Sequence, residues 1–320
     1  MTSTNRKEPN MDKPVRMTLQ ETQNAGRLRD TAVSHIAFAV PDVEASERFY
    51  GRVLGMVRHA ELLEGGVRLG WGLGHHVLDL LPGAANLVHY GFEVRDSGGL
   101  DGIRRRLEAA GRTVTDLDPA FVDEALGEPS GLAVNDPDGT AVHFHGPVRR
   151  QGENAADPGR RTIKFPHTTL GTTDVAPMMD FFVNEIGFRM SDQLADGRFC
   201  WLRSNKDHHT LAIVAVDRAG VLDHYSYDLS EWEDFKVWCD RLTELDVPVQ
   251  WGPGRHGPGN NLFVFFDDPA GNHIELSAEM EKFYDDRVAY APRRWTPVPQ
   301  TVNLWGGQTP QWRRTSEGSI

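Results

Sequence analysis

The sequence predicts an α+β protein that contains four βαβββ modules, two in each of two tandem domains. The first observation is an internal repeat: strand, helix and turn patterns of residues 34–139 return 132 to 135 residues later. The second is that each half divides again into a strand, a helix and several further strands. The third is a polar stretch at 149–162, rich in Gly, Asp and Arg, which is typical of a linker.

Helices are predicted where apolar residues follow a helical period. The first helix of each half is expected at 42–54 and 174–186, with an Asp at the N-cap and a Gly after the last turn. The second helices are expected at 100–110 and 230–245. The last of these begins with a Ser230–Glu233 capping-box pattern.

Turns with the pattern Asp-Pro-x-Gly at 136–139 and 268–271 each precede the final strand of a half. Together with the repeat, they define the domain boundaries. The predicted division is a flexible N-terminal arm (1–30), a first domain (31–148), a linker (149–162), a second domain (163–283) and a C-terminal tail (284–320) without strand or helical period.

Composition excludes several classes of protein. The net charge of -12 argues against nucleic-acid binding, which requires a basic face. The two cysteines, Cys200 and Cys239, imply no disulfide framework and fit a reducing cytoplasm. Neither a hydrophobic signal core nor an apolar run long enough for a membrane span is present, so we expect a cytoplasmic protein without a membrane partner.

Two histidines and one glutamate form the strongest candidate site. His167, His224 and Glu275 each stand in a short strand-like run of the second half. Two imidazoles and one carboxylate on one face of a metal leave three positions open for substrate and O2. The second half therefore predicts a metal site of the kind that non-haem Fe(II) oxygenases use.

With these residues, the chain over 33–283 resembles the type I extradiol ring-cleavage dioxygenases of the vicinal oxygen chelate superfamily. The resemblance implies two tandem vicinal-oxygen-chelate domains, with the metal in the second. It implies that His167, His224 and Glu275 hold Fe(II), or Mn(II) in some members. It also implies O2-dependent cleavage of a catechol-type ring by a homo-oligomer.

The resemblance further implies two catalytic histidines outside the ligand set. His209 matches a family His in a His-His-Thr-like segment, and its expected role is to stabilise reduced oxygen and transfer a proton. His256 matches a family His in a Gly-Arg-His-Gly-like loop, and its expected role is to bind or deprotonate a substrate hydroxyl. A histidine whose pKa is near its unperturbed value suits both roles at neutral pH. We expect the neighbouring His208 to be a bystander, because strand alternation points it away from His209.

One position departs from the family pattern. The resemblance places a Tyr ten residues before the Glu ligand, where this chain has Phe265. Phe has no hydroxyl for a substrate oxygen, so another metal-dependent reaction, either a non-cleaving oxygenation or an isomerisation, stays open. A protein that binds or sequesters small aromatics also stays open. We expect Phe265, Trp201, Trp251 and Tyr225 to line the substrate pocket.

The first half carries three histidines at the positions equivalent to the ligand set. His35, His89 and His143 correspond to His167, His224 and Glu275, and three imidazoles are a known zinc ligand set. The resemblance implies a metal-free, structural first domain. We therefore favour a vestigial or packing role for these histidines, with a second metal site as the alternative.

Overall fold

Two large mixed sheets, one from each half of the chain, form the framework of the protein. The structure is a computed structural model, and it describes residues 27–71, 77–96, 98–117, 131–147, 165–284, 290–306, 314–315 and 318–319. The predicted linker and residues 1–26 of the predicted arm lie outside these ranges.

The first sheet has eight strands in the order β2-β3-β4-β1-β5-β8-β7-β6. Two helices, α1 (Val43–Leu54) and α2 (Gly99–Ala109), follow β1 and β5, and a single 3-10 turn spans Leu63–Gly65. The strands are β1 (Thr31–Val40), β2 (Val57–Glu61), β3 (Val67–Gly70), β4 (Leu78–Pro82), β5 (Asn86–Val94), β6 (Thr115–Asp116), β7 (Gly131–Asn135) and β8 (Ala141–His145).

The second sheet repeats this arrangement and adds one strand from the tail, in the order β14-β15-β16-β13-β9-β12-β11-β10-β17. Its strands are β9 (Thr168–Thr172), β10 (Arg189–Leu194), β11 (Phe199–Arg203), β12 (Leu211–Ala215), β13 (Val221–Asp228), β14 (Trp251–Arg255), β15 (Leu262–Asp267), β16 (His273–Ala278) and β17 (Arg293–Trp295). The helices are α3 (Val175–Asp180), which continues as a π-helix over Phe181–Ile186, α4 (Trp232–Glu244) and α5 (Pro299–Val302), and a small hairpin pairs β18 (Arg314–Thr315) with β19 (Gly318–Ser319).

The strand order confirms the predicted α+β class and its four βαβββ modules. In each module the opening strand pairs with the module's last strand in parallel, and the two opening strands of a domain pair with each other antiparallel. The strands that carry or adjoin the candidate site residues of each half, β1, β5 and β8 or β9, β13 and β16, therefore lie side by side in each sheet.

Local sequence signals set the helix ends closely. Asp42 caps α1 by accepting a hydrogen bond from the backbone N–H of Ala45 at 2.8 Å, and Gly55 ends the helix at φ 70°. The predicted capping box of α4 is displaced by one residue. Glu231 is the N-cap and Asp234 the reciprocal partner, because Asp234 accepts the backbone N–H groups that precede the helix.

A buried network of hydroxyl and carboxylate groups joins the two domains. The Tyr50 hydroxyl of α1 donates to Oδ2 of Asp268 at 2.6 Å and is also hydrogen-bonded to the Tyr225 hydroxyl of β13. Around it, Phe38 packs on the ring of Tyr225 with centroids 5.4 Å apart. All three hydroxyl and carboxylate groups have partners, so burial of this network is not penalised.

The chain ends are more closely bound to the domains than predicted. Leu28 is buried and donates its backbone N–H to Gly187 O at 3.1 Å, so a flexible arm cannot extend to residue 30. The tail, for which we predicted no strand or helix, contains β17 and α5. β17 pairs in parallel with β10 along the edge of the second sheet. Within the described parts of the chain, no helix has the length and apolar character that crossing a membrane requires.

Candidate metal centre

The central strands of the second sheet bring His167, His224 and Glu275 together. His167 immediately precedes β9, His224 lies on β13 and Glu275 lies on β16, and all three side chains are buried. Oε2 of Glu275 is 2.8 Å from His167 Nε2 and 3.2 Å from His224 Nε2. Ligands bound at right angles about 2.1 Å from a metal lie about 3 Å apart, so these separations suit one shared ion.

The hydrogen bonding of His224 supports a shared cation. Nδ1 of His224 is 2.5 Å from the carboxylate of Asp223, which can only accept, so the neutral ring carries its proton on Nδ1. Nε2 then directs a lone pair at an oxygen of Glu275. Two electron-pair donors that face each other at this distance suit a metal, and the Asp223 contact is the outer-shell support that metal-binding histidines usually have.

The protonation states of the ligand set also suit a metal. Burial raises the pKa of Glu275, but the adjacent His167 and the other imidazoles around the carboxylate outweigh it, so the pKa lies well below its usual value. Burial lowers the pKa of His167, against the opposing effect of Glu275. An ionised carboxylate and neutral imidazoles are the forms that bind a divalent metal.

A cavity of about 370 Å³, including its mouth, opens onto the ligand set. Apart from the ligands, its wall combines one threonine with apolar and imidazole side chains. They are Thr169, Phe199, Trp201, His209, Trp251, His256, Pro258 and Val302.

His256 lies at the cavity with one nitrogen oriented by the tail. Its Nδ1 donates to the carbonyl oxygen of Val302 at 2.5 Å, because a carbonyl can only accept. The remaining Nε2 is 3.5 Å from Oε1 of Glu275. In the neutral ring, Nε2 therefore carries the lone pair and can accept a proton beside the ligand set.

A buried chain of polar contacts orients His209. Oδ2 of Asp192 is 3.0 Å from His208 Nε2, and His208 Nδ1 is 3.0 Å from His209 Nδ1. Because the ionised Asp192 only accepts, a neutral His208 carries its proton on Nε2 and accepts from His209 Nδ1–H. His209 then keeps an unprotonated Nε2. The expectation that His208 is a bystander pointing away from His209 is wrong, because the two rings are in contact, although His208 does not line the cavity.

The tail strand β17 contacts Asp192, the residue in this row of contacts that lies farthest from the cavity. Arg293 Nε and Trp295 Nε1 donate to the two oxygens of Asp192 at 2.8 and 2.7 Å. Burial would raise the pKa of Asp192, but the hydrogen bonds from His208, Arg293 and Trp295 bring it below its usual value. Tail residues thus support both cavity histidines, His209 through Asp192 and His256 through Val302.

We predict that Asp192→Asn lowers turnover about 10- to 100-fold while the metal stays bound. The amide can donate to His208 Nε2, which would move the His208 proton to Nδ1 and reverse the hydrogen bond to His209. The measurement is kcat and its pH profile, with metal content determined on the same preparation. Asp267→Asn, which changes a carboxylate that contacts His273, is the matched control. A wild-type kcat and pH profile in Asp192→Asn would contradict this role.

Two residues that we predicted to line the pocket lie elsewhere. Tyr225 faces the other side of its sheet, because side chains alternate along a strand, and its hydroxyl is bonded to Tyr50 in the domain interface. The prediction for Tyr225 is therefore wrong. Phe265 is fully buried behind His224, with ring centroids 5.2 Å apart, rather than in the cavity wall. Trp201 and Trp251 do line the cavity.

The structure also assembles the histidines of the first half. Nitrogens of His35, His89 and His143 lie within 4.8 Å of one another. His89 and His143 stack with centroids 4.2 Å apart. Burial, followed by the nearby His143, lowers the pKa of His89 to about 3. Burial, followed by His145, lowers the pKa of His143 to about 4.

Several residues of the site were not predicted. Asp223, Asp192 and Asn261 support the ligands or cavity histidines, and Asn261 Nδ2 donates to Oε1 of Glu275 at 3.2 Å. Asp223 directly precedes a predicted ligand, so an acidic neighbour was a usable signal. No periodic pattern marks Val302 or Asp192, since their roles depend on where the tail runs.

A sequence model of the Glyoxalase/Bleomycin resistance protein/Dioxygenase superfamily matches residues 32–144 and again residues 164–276. The chain belongs to this superfamily. The first matched segment covers the strands of the first sheet and the second covers those of the second sheet apart from β17, so each half of the chain is one superfamily domain. Tandem domains of this superfamily are thus confirmed, as the resemblance implied.

Two curated relatives in the superfamily are named as ring-cleaving enzymes. Metapyrocatechase 2 of Cupriavidus necator is 28% identical over 304 residues, which cover 88% of this chain and 90% of the relative. An iron-dependent extradiol dioxygenase of Rhodococcus jostii is 26% identical over 240 residues, which cover 68% and 76%. The resemblance to extradiol dioxygenases is confirmed by these matches.

A solved superfamily structure shares both domains. The Mn(II)-bound glyoxalase from Novosphingobium aromaticivorans matches with a TM-score of 0.76 and 26% identity, over 88% of this chain and 93% of that protein. The superfamily therefore includes, at similar distance from this chain, proteins named for iron and for manganese and for different reactions.

Proposed function

We propose that this protein is a metal-dependent extradiol dioxygenase that cleaves a catechol-type ring with O2. The observation that carries the proposal is the convergence of His167, His224 and Glu275 in the wall of a cavity that is also lined by aromatic side chains and by His209 and His256. Two imidazoles and one carboxylate leave coordination positions for a chelating substrate and a second small ligand. The named relatives support the same activity.

The ligand set has a charge that suits a catechol. Neutral His167 and His224 with ionised Glu275 would leave a divalent ion with one positive charge, which a singly deprotonated catechol neutralises. When bound, the ion would supply Lewis acidity that lowers the pKa of a ligated hydroxyl and would hold both reactants side by side. The aromatic wall of Trp201 and Trp251 would orient the ring.

The two cavity histidines, His209 and His256, would accept and donate protons during the reaction. His256, with Nδ1–H committed to Val302, offers Nε2 to accept a substrate hydroxyl proton. His209, with Nδ1–H committed to His208, offers Nε2 as a hydrogen-bond acceptor. Burial, followed by the nearby His167, holds the pKa of His209 well below its usual value, so it would take up a proton only transiently and pass it on readily. The contacts from His209 through His208 to Asp192 would keep the His209 ring in the tautomer that has Nε2 unprotonated.

For the metal we propose Fe(II), with Mn(II) as the second candidate. The ligand set accepts both ions, and relatives or solved structures in the superfamily are named for each. Loading the metal-stripped protein anaerobically with Fe(II) or Mn(II), then comparing turnover per bound ion, decides between them.

The cavity wall favours an uncharged substrate. No Lys or Arg is among the described residues that line the cavity, so nothing in that part of the wall would pair with a carboxylate. Burying an unpaired carboxylate would be costly.

The test is an O2-uptake assay of the Fe(II)-loaded full chain with a panel of catechols. We expect one O2 consumed per substrate, a visible yellow product from ring opening, and lower kcat/KM for carboxylated catechols than for neutral ones. Absence of O2 uptake and of a chromophore across the panel would overturn the proposed function. A homo-oligomer in the cytoplasm remains our expectation.

A second candidate is a different metal-dependent reaction at the same ligands, either an isomerisation or a non-cleaving oxygenation. Phe265, which replaces a hydroxyl-bearing residue, and the similarity to a glyoxalase favour it. Phe265→Tyr separates the two, because ring cleavage gained only in this variant would favour the second candidate. Tight binding of an aromatic without turnover, unchanged in Glu275→Ala, would instead indicate a sequestering protein.

A further inference from the structure

We propose that His35, His89 and His143 form a second metal site, in the first domain, for a divalent ion of the zinc, cobalt or nickel class. Their nitrogens lie within 4.8 Å of one another, as those of the second-domain ligands do. His35 is fully buried, whereas His89 and His143 are only partly buried. This proposal does not depend on the proposed function of the second domain.

The strand register places the three histidines as the second sheet places its ligands. His143 on β8 pairs with Gly91 on β5, and Glu275 on β16 pairs with Ser226 on the corresponding strand β13. His35 also pairs with Gly91, across β1 and β5. The duplicated scaffold therefore presents three imidazoles where its other copy presents two imidazoles and a carboxylate.

A directed hydrogen-bond chain fixes the tautomer of His35. His145 Nδ1 donates to Gly146 O at 2.7 Å, so neutral His145 accepts at Nε2 from the Ser34 hydroxyl at 2.9 Å. The Ser34 oxygen in turn accepts from His35 Nδ1 at 2.8 Å. His35 Nε2 therefore carries a lone pair, and it lies 3.4 Å from Nδ1 of His143. Outer-shell hydrogen bonds of this kind orient metal-binding histidines.

Space and charge around the cluster are compatible with a cation. A Cβ at Gly91 would lie 2.0 Å from Cε1 of His35, so the glycine makes room for this ring. The nearby positive charge of Arg68 is paired with Asp79, which accepts two hydrogen bonds of 3.0 Å from its guanidinium. In the second domain, the position of Arg68 is taken by Trp201 and that of Asp79 by Ala212.

Ligand chemistry separates the two sites. Three neutral imidazoles would leave a divalent ion with two positive charges, against one at the ligand set that includes Glu275. Nitrogen-only ligand sets suit zinc and the later first-row ions, whereas a carboxylate also suits iron and manganese. The first-domain site should therefore prefer Zn(II) or Co(II).

The test is a metal titration of the untagged, metal-stripped full chain with Zn(II), followed by elemental analysis after gel filtration. We expect two bound equivalents in the wild type, one in His143→Ala, one in Glu275→Ala and none in the double variant. His273→Ala, whose ring contacts Asp267 outside both clusters, should retain two. Zn(II) should raise the Tm of Glu275→Ala but not that of the double variant.

One equivalent in the wild type, lost in Glu275→Ala and retained in His143→Ala, would overturn the proposal. Circular dichroism and a cooperative thermal transition establish that each variant folds. If His143→Ala does not fold, His89→Gln takes its place, and we expect its affinity at the first-domain site to fall about 100-fold or more. Visible absorption of bound Co(II) in Glu275→Ala, absent in Glu275→Ala with His89→Gln, reports the same site without activity.

Discussion

Glu275→Gln is expected to remove the metal from the second domain and to abolish O2 uptake with catechols. Gln has the shape of Glu, but it lacks the negative charge that two imidazoles contact at 2.8 and 3.2 Å. Loss of an outer-shell partner alone usually costs 10- to 100-fold in metal affinity, so we expect loss of a ligand to cost at least about 100-fold. The measurement is iron content and O2 uptake after anaerobic loading.

Glu279→Gln is the matched control for this variant. Glu279 is exposed just beyond the end of β16, so the substitution makes the same change in charge outside the cavity. It should keep wild-type iron content and turnover. Iron content and O2 uptake that stay at the wild-type level in Glu275→Gln would rule out the ligand role of this carboxylate.

His209→Asn should lower kcat about 100-fold or more while the iron content stays at the wild-type level. General acid–base groups typically contribute 10²- to 10⁴-fold, and Asn cannot carry a proton between reactants. Asn can still accept or donate a hydrogen bond to His208, which limits the structural disturbance. The measurement is steady-state O2 uptake, together with an anaerobic titration of substrate binding.

Substrate affinity is the result that separates a catalytic from a structural role for His209. We expect the anaerobic dissociation constant to change only a few-fold, because the ring would be held by the ligand set and the aromatic wall. His273→Asn serves as the control, since His273 contacts Asp267 away from the cavity. A kcat unchanged in His209→Asn, or iron lost together with activity, would contradict the assignment.

Short-range signals in the sequence account for much of the fold. The Asp42 cap and Gly55 predict α1 to within one residue of its start, because capping involves only neighbouring backbone groups. Asp174 predicts the start of α3 for the same reason. The Ser230 capping box was off by one residue, because Ser230 and Glu231 offer alternative caps and only the approach of Asp234 to both N–H groups selects one.

Side-chain direction was predictable in part. Tyr225 follows His224 directly, and strand alternation alone would have placed it on the opposite face. The sequence did not show that Tyr50 of the other domain forms a hydrogen bond with the Tyr225 hydroxyl on that face. Phe265 pairs with Glu275 across the sheet, yet it is covered by Trp251 and His224, and this depends on how neighbouring strands pack.

By itself, the sequence determined the duplication and the identity of the three residues that converge in the second domain. Helix caps, turns and strand patterns recur in both halves of the sequence. The pleat of adjacent strands then places the side chains of His167, His224 and Glu275 on one face. Only the tertiary structure decided how His209 and His256 are oriented. Trp295 of the tail contacts Asp192 of β10 behind His208 and His209, Val302 of the tail contacts His256, and the tail has no periodic signal. It also decided the tautomer of His35, through the contact of His145 with Ser34 on a neighbouring part of the sheet.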